Sequence, residues 1–274
     1  MNNIVSALLW FALIGGALGL LLAIASKLFE VKTAPRIIQI TELLPGANCG
    51  GCGYTGCSAL AASIVEGKAS TNACCASNDE TSKKIAEIIG VKAESAVRFR
   101  AQVMCSGTCD IAKKKYEYDG IDDCIAANKL CGGEKKCPYG CIGHGTCIRA
   151  CKFDAIHIVD GIATVDQSKC TGCGACASSC PKQIIKLIPH DAKHWVGCMS
   201  IDKGAEAMKY CTRACIGCKK CEKVCPTGAV TCVGFLASIK YEDCINCGEC
   251  VKNCPRKIIC SAETNKVEIA ESND

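Results

Sequence analysis

The sequence predicts a small α+β fold, stapled from within rather than filled by a large core, behind one N-terminal transmembrane helix. Three observations predict it. The stretch from Ile4 to Ser26 carries no charge. The chain of 274 residues holds 29 cysteines but only 5% aromatic residues, too few to fill a large core. The cysteines are also ordered: the run Cys-x2-Cys-x2-Cys-x3-Cys-Pro occurs three times, and the interval Cys151 to Cys180 recurs from Cys225 to Cys254.

The apolar stretch comes first. Crossing a bilayer takes about 20 helical residues, so Ile4 to Ser26 suffices, and residues 1–29 are the expected anchor. Gly15, Gly16 and Gly19 give it a small-residue face on which a partner helix could lie closely; the alternative is that they only loosen a lone anchor. Ala23-Ile24-Ala25 imitates a signal cleavage site. However, Met1-Asn2-Asn3 lacks the positive charge of a signal sequence, and the apolar run is too long for one. Lys27, Lys32 and Arg36 follow the helix. By the positive-inside rule the N-terminus lies outside the cytoplasmic membrane and the rest of the chain on its cytoplasmic side.

Twenty cysteines form five groups of four. Cys137-x3-Cys141-x5-Cys147-x3-Cys151 precedes Cys170-x2-Cys173-x2-Cys176-x3-Cys180. Then come Cys215-x2-Cys218-x2-Cys221-x3-Cys225 and Cys244-x2-Cys247-x2-Cys250-x3-Cys254. Such runs hold four-iron, four-sulfide (4Fe-4S) clusters in bacterial two-cluster ferredoxins, where the fourth cysteine of each run ligates the other cluster. Two such modules in tandem are expected, at 136–190 and 211–265. Asp160-Gly161 between alternating apolar residues signals a hairpin in the first. Prolines 181, 226 and 255 turn the chain away from the cluster, and an apolar pair then starts a strand. The first run lacks that proline and has a five-residue gap, so it is a looser loop. Zinc sites favour two Cys-x2-Cys pairs across a longer gap, and disulfide frameworks do not repeat this run. Thiols kept for iron imply a reducing compartment.

The fifth group is Cys49-x2-Cys52-x4-Cys57, with Cys74 after a helix-like stretch from Ser58 to Val65; Cys75 competes for the fourth place. Its glycines let the backbone turn tightly and offer N–H groups to sulfur. This makes 30–91 a separate cluster domain, entered by a connector with a short helix that Pro45-Gly46 stops. Residues 92–135 read as a connecting region, 191–210 as a linker and 266–274 as an acidic tail. Ser82 to Ile89 reads as helix and Ala93 to Val103 as extended. The connecting region carries Cys105, Cys109, Cys124 and Cys131. These could hold a sixth cluster, with Cys198 or Cys211 contributing, or pack as free thiols.

Cys232 and Cys260 lie in apolar, strand-like runs and read as core thiols. His190 and His194 read as a surface loop rather than a metal pair, because no third ligand stands at zinc spacing; His144 and His157 read likewise. Gly50-x2-Gly53-x2-Gly56 follows ligand spacing and opens no dinucleotide-binding helix, so direct NAD binding is not expected. No acid–base catalytic residue stands out. The formal charge of +5 counts thiols as neutral. Five clusters at about −2 each would add about −10, which argues against a nucleic-acid partner.

The order of anchor, Asn48 to Cys57 with Cys74, and tandem ferredoxin runs resembles the B subunit of the Rnf complex, the membrane-bound ion-translocating ferredoxin:NAD+ oxidoreductase. Lys136-Cys137-Pro-Tyr-Gly-Cys141-Ile-Gly-His-Gly-Thr-Cys147 carries the resemblance further. Family members often have one ferredoxin module; the second here resembles the extended variants. The resemblance favours Cys74 over Cys75. It implies an electron-transfer protein that accepts electrons from soluble reduced ferredoxin. It would pass them along its clusters to flavin-bearing membrane partners that reduce NAD+, coupled to Na+ or H+ movement. The alternatives are a membrane-tethered polyferredoxin without ion pumping, and clusters that serve only as structure.

Overall fold

The computed structural model describes residues 2–28, 34–92 and 97–262. Helix α1 (Asn2–Leu28) contains a stretch, Ile4–Lys27, long and apolar enough to cross a membrane. Its 24 residues span about 36 Å at 1.5 Å each, against a hydrocarbon core of about 30 Å. Leu9, Trp10, Phe11 and Leu22 stand open, and nothing lies within 4 Å of a side chain built at Gly15, Gly16 or Gly19.

Three helices form the next unit: α2 (Pro35–Leu43), α3 (Cys57–Val65) and α4 (Asp79–Ile89). Pro35 suits the first turn of α2, where an N–H would be unpaired anyway. Asn78 caps α4, its side-chain oxygen accepting from the Thr81 N–H at 2.7 Å, and left-handed Gly90 ends it. Ile40, Leu60, Ile64 and Ile85 close the core between the three helices, with Cys52, Cys57 and Cys74 packed at its edge.

The two cysteine-rich modules repeat one plan. The first runs through β1 (Phe99–Val103), α5 (Cys124–Lys129), α6 (Thr146–Ala150), β2 (Ile156–Val159), β3 (Ile162–Val165), α7 (Ala175–Ser179) and β4 (Ile185–Pro189). The second runs through β5 (His194–Val196), α8 (Gly204–Tyr210), α9 (Lys220–Lys223), β6 (Val230–Val233), β7 (Leu236–Ile239), α10 (Glu249–Lys252) and β8 (Ile259–Ser261). Every sheet has two antiparallel strands. Hairpin β2–β3 turns at Asp160 and Gly161, both at positive φ as a tight two-residue turn requires. Hairpin β6–β7 is its counterpart in the second module.

The other two sheets join distant segments. β1 pairs with β4, Phe99 opposite Pro189, and β5 pairs with β8, His194 opposite Ser261. Residues 92–135 and 191–210, expected as connector and linker, therefore each supply a strand to a module. His194 is buried within β5, so the surface-loop expectation fails for it. Residues 93–96 of the expected extended segment lie outside the described residues, as do Lys32 and the expected tail at 266–274.

The cores are thin. The first module's buried cluster has nine residues, of which Cys141, Cys147 and Cys176 are three. The second also has nine, with Cys215, Cys221, Cys232 and Cys250 among them. Cys232 and Cys260 are buried in β6 and β8, as core thiols would be.

Candidate iron–sulfur sites

One local geometry recurs in the cysteine runs. The middle position is flanked by left-handed residues: Gly172 and Gly174 around Cys173, Gly217 and Lys219 around Cys218, Asn246 and Gly248 around Cys247. The third cysteine then sits buried on a helix of a single turn: Cys176 on α7, Cys221 on α9, Cys250 on α10. Left-handed corners wrap the chain around a compact object and turn N–H groups inward, an arrangement suited to anionic sulfur.

The first run obeys the same rule, but its middle position is not cysteine. Gly143 and Gly145 are left-handed and flank His144, and Cys147 sits on α6. The register that matches the other runs is thus Cys141-x2-His144-x2-Cys147-x3-Cys151, with histidine at the position cysteine holds elsewhere. His144 turns to Asp122, Nδ1 to carboxylate oxygen at 2.7 Å. A cysteine distant in sequence stands at the same site. Cys124, at the start of α5, lines one pocket with Cys141, Cys147 and Cys180. The Cys124 N–H donates to Thr146 Oγ1 at 2.7 Å, tying α5 to α6.

The expected grouping of Cys137 with Cys141, Cys147 and Cys151 is therefore not what the fold assembles. Cys137 lines a different pocket with Cys105, Cys198 and Cys211. Nor are Cys105, Cys109, Cys124 and Cys131 brought together. Cys105 and Cys124 line separate pockets, while Cys109 and Cys131 are exposed. Cys109 is held by the β2–β3 turn, its N–H donating to the Asp160 carbonyl at 2.9 Å. The two-residue gap between Cys141 and His144 was the available signal; the place of Cys124 in this pocket had none.

The remaining groups converge across their runs. Cys151 joins Cys170, Cys173 and Cys176 around one pocket, and Cys254 joins Cys215, Cys218 and Cys221 around another. Cys244 and Cys247 face Cys250, and Cys225 packs in the same apolar cluster as Cys250. Backbone amides meet these sulfurs: Ala101 donates to Cys170 Sγ at 3.3 Å and Ala163 to Cys141 Sγ at 3.4 Å. Burial pushes the Cys141, Cys147 and Cys176 thiols up to about 12, with neighbouring cysteines adding to it. Without a cation these groups stay protonated, so loading must release protons. Among the described residues no three His, Cys, Asp or Glu converge closely enough to hold a single metal ion. Thiols around a cluster stand further apart, because the cluster fills the space between them. The residues therefore fit an iron–sulfur group.

At the N-proximal site Asn48 adopts a left-handed φ of 45° and its side-chain oxygen accepts from the Cys57 N–H at 2.8 Å, closing the loop that carries Cys49 and Cys52. Cys74 Sγ accepts from the Ala76 and Ser77 amides, and burial raises its pKa. The neighbouring Cys75 thiol, pushed up to about 12 mainly by burial, faces Cys49, Cys74 and Cys173. Asn48→Ala removes that clasp and replaces asparagine, which tolerates the left-handed region, by alanine, which does so less well. We expect it to cost about 1–2 kcal/mol locally and to lower iron retained at this site under mild chelation. Iron retention equal to wild type would show that the clasp is dispensable.

The loop meets the first module directly. A Cβ placed on Gly51 would fall 2.6 Å from the carbonyl oxygen of Cys173 and 2.8 Å from its Cα. Only glycine permits this approach, which sets the Cys49 loop against the Cys173 loop.

This arrangement defines a class: an iron–sulfur protein in which tandem ferredoxin modules and an N-proximal cluster domain follow one candidate membrane helix. The family model described as "Putative Fe-S cluster" matches residues 44–76, and that of the 4Fe-4S dicluster domain matches 140–184, 169–229 and 214–258. The B subunit of the Na+-translocating ferredoxin:NAD+ oxidoreductase complex of Acetobacterium woodii is 45% identical, covering 82% of this chain and 68% of the relative. The B subunit of the ion-translocating oxidoreductase complex of Methanosarcina acetivorans is 41% identical over 84% of this chain and 87% of its own. Its counterpart in the proton-translocating ferredoxin:NAD+ oxidoreductase complex of Clostridium ljungdahlii is 38% identical over 78% and 76%. The chain belongs to the B-subunit family of Rnf-type ion-translocating oxidoreductase complexes.

Proposed function

We propose that this chain is the membrane-anchored electron conductor of such a complex, taking electrons from soluble reduced ferredoxin and delivering them to flavin-bearing membrane subunits that reduce NAD+. The complex couples that flow to Na+ or H+ movement. When bound, the 4Fe-4S clusters supply one-electron redox chemistry. The protein supplies position: the observation that carries the reading is the Gly51–Cys173 contact, which makes the N-proximal site continuous with the ferredoxin modules.

The ligands we assign are Cys49, Cys52, Cys57 and Cys74; Cys124, Cys141, Cys147 and Cys180; Cys151, Cys170, Cys173 and Cys176; Cys215, Cys218, Cys221 and Cys254; and Cys225, Cys244, Cys247 and Cys250. The paired amides on its sulfur support Cys74 over Cys75. Electron intake belongs at the second module, where Cys218 and Cys247 are exposed, whereas Gly51 packs over Cys173. Lys219, Lys220 and Lys223 are exposed beside Cys218 and would steer an anionic, cluster-loaded donor. The open glycine face of α1 suits close packing by a partner helix. Lys27 at the end of α1, with Arg36 beyond, supports a cytoplasmic position for the clusters.

The test is purification from membranes under strict anaerobiosis. Recovery with several membrane subunits and bound flavin, together with ferredoxin-dependent NAD+ reduction, is the expected result. Isolation as a lone, redox-active chain would instead establish a tethered polyferredoxin. A chain whose clusters show no reversible low-potential signal with dithionite would sink both readings.

A further inference from the structure

The pocket lined by Cys105, Cys137, Cys198 and Cys211 takes two cysteines from each ferredoxin module and is none of the sites assigned above. Its cysteines come from four separate segments: the end of β1, the approach to α6, the turn after β5 and the end of α8. No run announces it. We infer that these four cysteines hold a sixth 4Fe-4S cluster, which bridges the two ferredoxin modules and makes them one conductor.

Four observations carry this. The first is size. The open space among these residues is ≈ 400 Å³, against ≈ 340, 320 and 290 Å³ at three of the ferredoxin-type pockets.

The second is the treatment of sulfur. Each of the four sulfurs accepts an amide N–H from two residues on: Cys105 from Gly107, Cys137 from Tyr139, Cys198 from Ser200, Cys211 from Arg213. Cys173 and Cys74 accept from Ala175 and Ala76 in the same way. Free core thiols do not need such donors; thiolates on a cluster do.

The third is charge. Lys135 lines this pocket, is only 4% exposed, and donates through Nζ to the carbonyls of Gly107 at 2.9 Å and Gly161 at 2.8 Å. It forms no ion pair with a carboxylate among the described residues. A buried ammonium without an anion is costly. A cluster with four thiolates, at about −2, would supply counter-charge at this pocket.

The fourth is placement. The Cys141 N–H donates to Cys105 Sγ at 3.5 Å, and the Cys215 N–H donates to Cys198 Sγ at 3.4 Å. Cys141 belongs to the first module's site and Cys215 to the second's. One amide therefore separates this site from a ligand of each module. In each transfer one cluster is oxidised by one electron and its neighbour reduced by one, with no proton or bond exchanged; reduced ferredoxin is the ultimate donor.

The inference rests on the conductor reading but fails separately from it. The experiment is iron, acid-labile sulfide and zinc per full-length chain, purified in detergent without oxygen. About 24 irons with matching sulfide are expected, six clusters of four. Cys198→Ser and Cys211→Ser should each lose about one sixth of the iron, while the double variant Cys109→Ser/Cys131→Ser keeps it all. A wild-type count of about 20, with or without one zinc, overturns the sixth cluster and leaves the conductor reading intact. So does a wild-type count of about 24 that falls in the Cys109/Cys131 double variant and not in Cys198→Ser. Iron and sulfide near zero would sink both. A wild-type count near 20 overturns the sixth cluster whatever the variants do, and at a count near 24 either of the two single variants suffices to place it if the other fails to fold.

Discussion

Stripping the iron from the full chain is expected to unfold both ferredoxin modules. Their secondary structure cannot stand alone. Helices α6, α7, α9 and α10 have four or five residues, well below the length at which isolated helices persist. Each sheet has only two strands, marginal in water without further packing. Cysteines are themselves members of both buried clusters, so removing the metal leaves polar thiols facing a void. Structural zinc in zinc-finger peptides contributes about 10–16 kcal/mol, on the scale of a whole domain's stability of about 5–15 kcal/mol, and cluster binding couples to folding in the same way. Trp195 reports the outcome, because it is 2% exposed within β5 of the β5–β8 sheet. In a Trp10→Phe background, chelation under anaerobic conditions should shift its emission to the red and abolish the far-ultraviolet strand signal. Retained burial of Trp195 after complete iron loss would show that the apolar cores suffice.

Gly51→Ala is expected to interrupt conduction while leaving the iron in place. The added carbon would meet the Cys173 backbone at 2.6–2.8 Å, and backbone cannot rotate away as a side-chain tip would. Overpacking of this kind costs about 1–3 kcal/mol, and the relief available is to move the Cys49 loop off the first module. Electron transfer falls steeply with separation. Ferredoxin-dependent NAD+ reduction by membranes carrying the variant should drop at least about tenfold, equivalent to about 1.4 kcal/mol of barrier. Iron content and dithionite-reducible signal should match wild type. An unchanged rate would mean that electrons leave the modules by another route.

Much of the molecule was legible in the sequence because its determinants are local. A four-cysteine run wraps a cluster through left-handed corners and a one-turn helix, all within eleven consecutive positions, so spacing alone reveals it. The hairpin at Asp160-Gly161 and the candidate membrane helix are local in the same sense. The first run misled for an equally local reason. His144 occupies the middle position, and counting cysteines rather than positions drew Cys137 into the wrong group.

What the chain order could not disclose is which distant segments complete each site. Cys124 lines the pocket of Cys141, Cys147 and Cys180, and Cys105, Cys137, Cys198 and Cys211 line another, in a fold where β1 pairs with β4 and β5 with β8. Those pairings join residues 82 or more positions apart for β1 with β4, and 63 or more for β5 with β8. No local period marks such partners, since their match is decided by packing and by sheet hydrogen bonds formed after the modules collapse. The sequence by itself determined the kind of cofactor, the tandem modules and the apolar N-terminal helix. The tertiary structure alone decided how the sites connect, because connection depends on approach between loops, such as Gly51 on Cys173, that only the assembled fold brings within contact.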